Sequence, residues 1–247
     1  MHADPPAQGE PFHVRKSALR EMRWAETVQP GLETLRPGQL VAEVTKFAFT
    51  ANNITYARTG EQLRYWRFSA APDGWGVIPV WGIAEVLHSR ASSIAPGERI
   101  YGYMPMASHV LLEAGAMRGV RFNDVSAPRA SLPGNYNEYV LIDRDPSYRR
   151  AQEDAHLILR PLFALSFFCT HYLQENALFG ARRVIVSSAS SKAAIGLAFL
   201  LARGACSVGI LIPLSNVKQS PRFGGVSGAV EGKGFYATPL RSVVTNM

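Results

Sequence analysis

The chain has 247 residues, 47% of them hydrophobic and 18% charged, a balance that suits a globular protein with a real core and excludes a disordered one. Two cysteines, Cys169 and Cys206, cannot form a disulfide framework or supply most of a structural zinc site, so a reducing compartment is the default. The formal charge of +7 is unevenly spread, because residues 1–180 carry 18 basic and 18 acidic residues while residues 181–247 carry eight basic residues and one acid, Glu231. That discontinuity calls either for an anionic ligand near the end of the chain or for a tail of different origin.

The first twenty residues mix charges with prolines and offer no apolar run, so no secretory signal is expected. The longest apolar run, Leu157 to Phe168, is interrupted by Arg160 and Pro161 and is too short to span a bilayer. A soluble, cytoplasmic protein is expected. From Leu40 to Phe49 apolar residues alternate, with Leu40, Ala42 and Val44 on one face and Glu43 and Thr45 on the other, the pattern of a half-buried strand. Between Pro72 and Tyr103 short β-prone runs are separated by Asp73-Gly74 and Pro96-Gly97, so this half reads as strands and turns. Residues 104–133 read as irregular, and a further strand is expected over Asn137 to Ile142. Asp154 to Asn176 reads as helix, interrupted by Pro161.

The most informative stretch follows. Arg183 to Val186 is a short β-branched strand, Ser187 to Lys192 a polar turn of small residues, and Ala193 to Gly204 a buried helix that stops at a glycine. Strand, tight turn and helix open a βαβ unit, whose next strand is expected at Ser207 to Ile212. Such a turn sets the helix N-terminus, with its unpaired N–H groups, against a phosphate. The three small positions of a dinucleotide fingerprint fall at Ser188, Ser191 and Ala194, so the match has no glycine. Ser187, Ser190 and Ser191 add hydroxyls and Lys192 a positive charge. The bland reading, a core strand and helix joined by a polar turn, stands beside it. At the end of the second strand, Leu211 to Asn216 contains no acid to grip a ribose 2′-hydroxyl. Ser215 and Asn216, with charge from Lys218 or Arg222, suit a 2′-phosphate and favour NADP over NAD. After Lys218 the pattern fades.

Other candidates have bland readings. His171 stands two residues from Cys169, the wrong spacing for a helical zinc pair. Tyr65, Trp66, Trp75 and Trp81 read either as a cleft lining or as ordinary packing. No nucleophile elbow, Walker loop or paired-carboxylate signature is present, which disfavours a hydrolase.

The order of three motifs, PVWGIAEVLHS (Pro79 to Ser89), PGERIYGY (Pro96 to Tyr103) and GNYNEYVLID (Gly134 to Asp143), resembles the GroES-like catalytic domain of the medium-chain dehydrogenase/reductase superfamily. RRVIVSSASSKAAIGLAFLLARG stands where that superfamily begins its nucleotide-binding domain, so the resemblance covers residues 37–217. TANNITYARTG (Thr50 to Gly60) and SSASSKAAIG look most like a branch described only as a domain of unknown function. The resemblance implies an α/β (α+β) fold, with a GroES-like β-rich domain over residues 1–150 followed by an incomplete Rossmann-like parallel βαβ domain over 151–218 and an irregular tail over 219–247. It implies a zinc-independent, quinone-reductase-like or enoyl-reductase-like oxidoreductase that binds no metal, since residues 1–168 contain no cysteine. Asn53, or equally Asn52, and Tyr56 are then the residues that face nicotinamide and substrate, with Tyr56 polarising or protonating the acceptor. A small carbonyl or enone substrate and a homodimer are the expected partners, with neither nucleic acid nor membrane. A complete doubly wound domain needs well over about 100 residues, more than follow Val184. A truncated, inactive fragment is therefore the competing expectation, with a tail from about Gln219 that is foreign to the family.

Overall fold

The computed structural model describes residues 8–9, 11–28, 30–186, 191–203, 207–213 and 235–239. These divide into two compact units at Ile158/Leu159.

In the first unit a two-stranded ribbon pairs β1 (Gln8–Gly9) with β4 (Thr27–Val28). A small antiparallel sheet joins β3 (Ala18–Trp24), β2 (Phe12–Arg15) and β6 (Trp75–Val77). The main sheet has six antiparallel strands in the order β10 (Arg121–Asn123), β11 (Glu138–Leu141), β8 (Arg99–Pro105), β7 (Pro79–Ser89), β5 (Gln39–Ala48) and β9 (His109–Glu113). Two helices decorate it, α1 (Ala51–Arg58) and the single turn α2 (Gly134–Asn137). Both faces of its centre are covered, which explains why the β7 and β8 sequences are apolar almost throughout. On one face Val80, Ala84 and Val86 of β7 and Ile100 and Met104 of β8 join Leu40, Phe122 and Tyr139. Displaced by one residue, and so pointing the other way, Ile83 and Tyr101 pack on Ile142, Tyr148 and Leu157, while Tyr103 packs on Phe68 and Leu132.

The strand expected over Leu40 to Phe49 is β5, but its alternation does not hold, since Leu40, Val41 and Ala42 are all buried. Register shifts at Val41/Ala42 and at Val44/Lys46 against β7 twist the strand and re-aim its side chains. The region 104–133 is less irregular than its small residues suggest, because β9 and β10 both lie within it. Pro161 does not stop α3, which runs unbroken from Glu153 to Glu175.

In the second unit β12 (Arg183–Val186) pairs in parallel with β13 (Ser207–Pro213) across α4 (Lys192–Arg203), as the βαβ reading requires. A third strand, β14 (Phe235–Pro239), which the faded pattern did not announce, pairs antiparallel with β13. Val186 packs on Ala194, Ala198 and Leu201 of α4. Gly196 allows α3 and α4 to touch, since a Cβ there would stand 2.7 Å from the Ser166 hydroxyl oxygen. Among the described residues of the unit, Leu165, Phe168, Tyr172 and Ile185 are each more than half exposed. Among the described residues no helix is long and apolar enough to cross a membrane.

Candidate functional site

Two places in the molecule gather chemistry, one in each unit. The first is an aromatic cluster on the face of the main sheet opposite Met104. Its floor is Trp81 and Tyr103, which are register partners on β7 and β8 with ring centroids 5.2 Å apart. Tyr136 from α2 lies 4.6 Å from Tyr103, and Phe68 lies 4.9 Å from Tyr103 and 5.7 Å from Tyr136. Tyr65 and Tyr136 meet through their hydroxyls at 3.2 Å.

Tyr56 completes the cluster, 4.6 Å from Tyr65 and 5.7 Å from Tyr103. Its position follows from Asn53, one helical turn earlier. Asn53 is buried, and its Oδ1 accepts from the Thr50 backbone N–H at 2.7 Å, capping α1. Its Nδ2 donates to the Pro79 carbonyl at the start of β7, at 2.9 Å. This amide therefore pins α1 to the sheet and presents Tyr56 to the cluster, while Asn52 beside it is half-buried. Of the four aromatics singled out in the sequence, Tyr65 and Trp81 belong here. Trp66 is core, with Gly60 and Gly76 packed so close that a Cβ on either would strike its ring. Trp75 lies on the small sheet, with the guanidinium groups of Arg15 and Arg23 at 4.6 and 4.1 Å from its ring.

The cluster's electrostatics are those of protonated phenols in a dry setting. Burial pushes the Tyr56 hydroxyl above the ordinary tyrosine value, and the neighbouring Trp81 indole offsets part of the shift. Tyr103 and Tyr136 are pushed up further, by burial first and then by the other hydroxyls of the group. Behind the floor, the Tyr139 hydroxyl donates to the Tyr103 carbonyl at 2.8 Å and accepts from Arg129 at 2.7 Å. Arg129 is itself buried and paired with Asp124. Sequence reasoning missed Tyr103 and Tyr136. Their signal was the Tyr-Gly-Tyr of β8, which sends Tyr101 and Tyr103 to one face, and the aromatic inside the GNYNEY motif.

The second place is the start of α4. Ser191 caps the helix, its Oγ accepting from the Ala194 N–H at 3.2 Å. The hydroxyl foreseen as an anion donor thus has its acceptor side turned to its own helix. Lys192 follows it, exposed, and Ala194 packs into the core. Beside this end of the helix a groove of about 320 Å³ is lined mainly by apolar groups, among them Leu165, Cys169, Val184, Ala193 and Leu197. Ser187, Ser188, Ser190, Ser215 and Asn216 lie outside the described residues, as do Lys218 and Arg222. Among the described residues no three His, Cys, Asp or Glu side chains gather in a way that suits a metal ion.

Residues 47–239 match a protein family described as a protein of unknown function, DUF2855. The chain belongs to that family. The match runs past Gln219 and takes in β14, so the family's sequence reaches beyond the point where apolar periodicity fades. No curated protein matches. Among solved structures, a protein from Mesorhizobium loti described as a candidate NADPH:quinone reductase superposes with a TM-score of 0.50 at 10% identity, over 88% of this chain and 62% of that one. The quinone oxidoreductase from Coxiella burnetii gives 0.45 at 11% identity, over 85% and 58%. TarJ of Staphylococcus aureus, solved with NADPH, gives 0.48 at 8% identity, over 83% and 54%. This DUF2855 chain has the medium-chain dehydrogenase/reductase fold, with a GroES-like part followed by a Rossmann-like part. It spans between 51% and 62% of the length of eight of the solved structures it resembles.

Proposed function

We propose that this protein is a zinc-independent, NADPH-dependent reductase of a small carbonyl or enone compound. The observation that carries the reading is the β12–α4–β13 crossover. Parallel pairing of Arg183–Val186 with Ser207–Val208–Gly209–Ile210 obliges α4 to run back against the strands, which sets its N-terminus at the carboxyl end of β12, where dinucleotide phosphates bind in open α/β sheets. The residues present suit such a group, because Ser191 holds the first turn in shape, Lys192 adds a positive charge, and Ala194, Gly196 and Ala198 keep the helix close to its neighbours. The dinucleotide, when bound, supplies the hydride.

The chain's own contribution in this reading lies at the aromatic cluster. Tyr56, kept protonated by burial, donates a hydrogen bond to the acceptor oxygen and its proton when charge develops there. Asn53 acts through α1 as a positioning residue. Calorimetric titration of the monodisperse protein with NADPH, and in parallel with NADH, tests the reading. Micromolar binding with a preference for NADPH is the expected result. A cooperatively folded sample that takes up neither nucleotide would overturn it.

A further inference from the structure

The helix α3 carries more apolar surface than its own packing uses. Its inward stripe includes Ser166 and Thr170, both buried, and the Ser166 Oγ donates to the Ala193 carbonyl of α4 at 2.7 Å. A second stripe runs beside the first. Leu165, Phe168 and Tyr172 follow one another at steps of three and four residues, which puts them on one face of the helix. They are 55%, 67% and 58% exposed. A helix that is apolar on more than one side is normally covered on more than one side.

The stripe adjoins a groove of about 320 Å³, walled by Leu165 and Cys169 of α3 and by Val184 and Ile185 of β12. Among the described residues β12 has a neighbouring strand on one side only, and its Ile185 is 68% exposed. Ridge and groove share Leu165 and so form one surface. At ~150–250 Å² for a fully exposed side chain of this size, Leu165, Phe168, Tyr172 and Ile185 leave on the order of 450 Å² open to water. Scattered apolar side chains need no explanation, but a contiguous patch of this size marks a place where something binds. A stable protein interface covers ~800 Å² per partner, of which ~56–65% is apolar. The patch supplies that apolar share.

Its shape indicates what covers it. A bilayer is flat and does not enter a groove, and a small apolar guest inside the groove would leave Phe168 and Tyr172 wet. The surface is instead complementary to itself, because a ridge of aromatic rings stands beside a groove able to take one. None of the six residues of ridge and groove is charged, so two copies meet there without repulsion. We infer that this face docks a second copy of the chain, with α3 antiparallel to its own copy across a two-fold axis at Phe168. In that register Leu165 lies beside the partner's Tyr172, whose ring closes the groove, and the same contact repeats across the axis. The surface lies wholly in the second unit and does not rest on the reductase reading.

The test is sedimentation equilibrium of the full chain without nucleotide, from about 1 to 100 µM. Twice the chain mass is expected at the upper end. Phe168→Asp sets a carboxylate at the centre of the interface and is expected to weaken the dimer about a hundredfold or more. Phe167→Asp puts the same charge on the neighbouring residue, itself 51% exposed but turned to a different side of α3, and is expected to leave the dimer intact. Both variants should keep the wild-type circular dichroism, because both rings are at least half exposed. The inference is overturned if the protein stays a monomer at ~100 µM, if the two variants weaken the dimer equally, or if neither does. A monomer that floats with phosphatidylcholine vesicles, and ceases to do so with Phe168→Asp, makes the face a membrane contact and equally overturns it. A monomer whose unfolding temperature falls by several degrees with Phe168→Asp shows the face covered by the chain itself, which also removes the second copy. None of these outcomes depends on nucleotide binding.

Discussion

Replacing Asn53 by alanine separates a residue that builds the site from one that touches the substrate. The substitution removes the acceptor that caps α1 at the Thr50 N–H, at 2.7 Å, and a weaker contact with the Thr50 hydroxyl at 3.3 Å. It also removes the donor to the Pro79 carbonyl, at 2.9 Å, in a position that is 3% exposed. A lost cap costs ~1 kcal/mol, a lost neutral hydrogen bond ~1 kcal/mol, and each partner left buried and unmet adds a further ~1 kcal/mol or more. About 3 kcal/mol is therefore expected for Asn53→Ala, read from urea unfolding followed by tryptophan fluorescence. Asn53→Asp keeps the cap but turns a carboxylate towards the Pro79 carbonyl, and should cost at least as much. Asn52→Ala, at a half-buried neighbour that makes no side-chain hydrogen bond among the described residues, should change stability by less than ~0.5 kcal/mol. A loss of turnover in Asn52→Ala at unchanged stability would assign the direct contact to Asn52. If Asn53→Ala unfolds within ~0.5 kcal/mol of wild type, the anchoring argument fails, and with it the account of why Tyr56 stands where it does.

Three further outcomes can be checked by denaturant or thermal unfolding. Gly102→Ala would place a Cβ 2.3 Å from the Tyr139 ring, and should cost ~2–3 kcal/mol by overpacking, whereas Gly97→Ala, at φ +84° with nothing within 4 Å, should cost only the ~1–2 kcal/mol of a left-handed backbone. Phe179 is 64% exposed and held at φ 52°, so Phe179→Gly should raise stability by up to ~1 kcal/mol. Burial works to raise the Glu153 carboxyl, but hydrogen bonds from Tyr148, Arg99 and Lys46 outweigh it and hold the group at about 2. Its folded value lies below its unfolded value, so its contribution is complete above about pH 4.5 and is lost as the pH falls towards 2. Allowing for solvent around Lys46, the loss should be on the order of 1–2 kcal/mol, and it should be absent in Glu153→Gln.

Local pattern carried much of the fold. The β7 and β8 runs and the β12, α4 and β13 series stand in the sequence as they stand in the structure, because their apolar patterns and β-branched or helix-forming residues point one way. Features set by distant partners were not legible. The broken alternation of β5 arises from its register against β7, which no local run of residues encodes. Pro161 lies within α3 without ending it, and β14 pairs with the edge of β13 in a stretch with no apolar periodicity long enough to announce it.

The site divides along the same line. Tyr56 and Asn53 could be singled out because they stand in one short motif, yet their different roles depend on the Pro79 carbonyl, 26 residues away from Asn53 in the chain. Trp81 and Tyr103 meet only through strand register, and Tyr136 reaches them from a single helical turn. A cluster assembled from α1, β7, β8 and α2 has no spacing rule, so its aromatics look like ordinary core residues when read one at a time. What distinguishes it is a property that only coordinates reveal, the gathering of these rings on one face around a buried Tyr103 hydroxyl that has no hydrogen-bond partner among the described residues. The apolar sequence of β7 and β8 secures the walls of the site, while its polar character resides in the hydroxyls of Tyr56, Tyr65, Tyr103 and Tyr136.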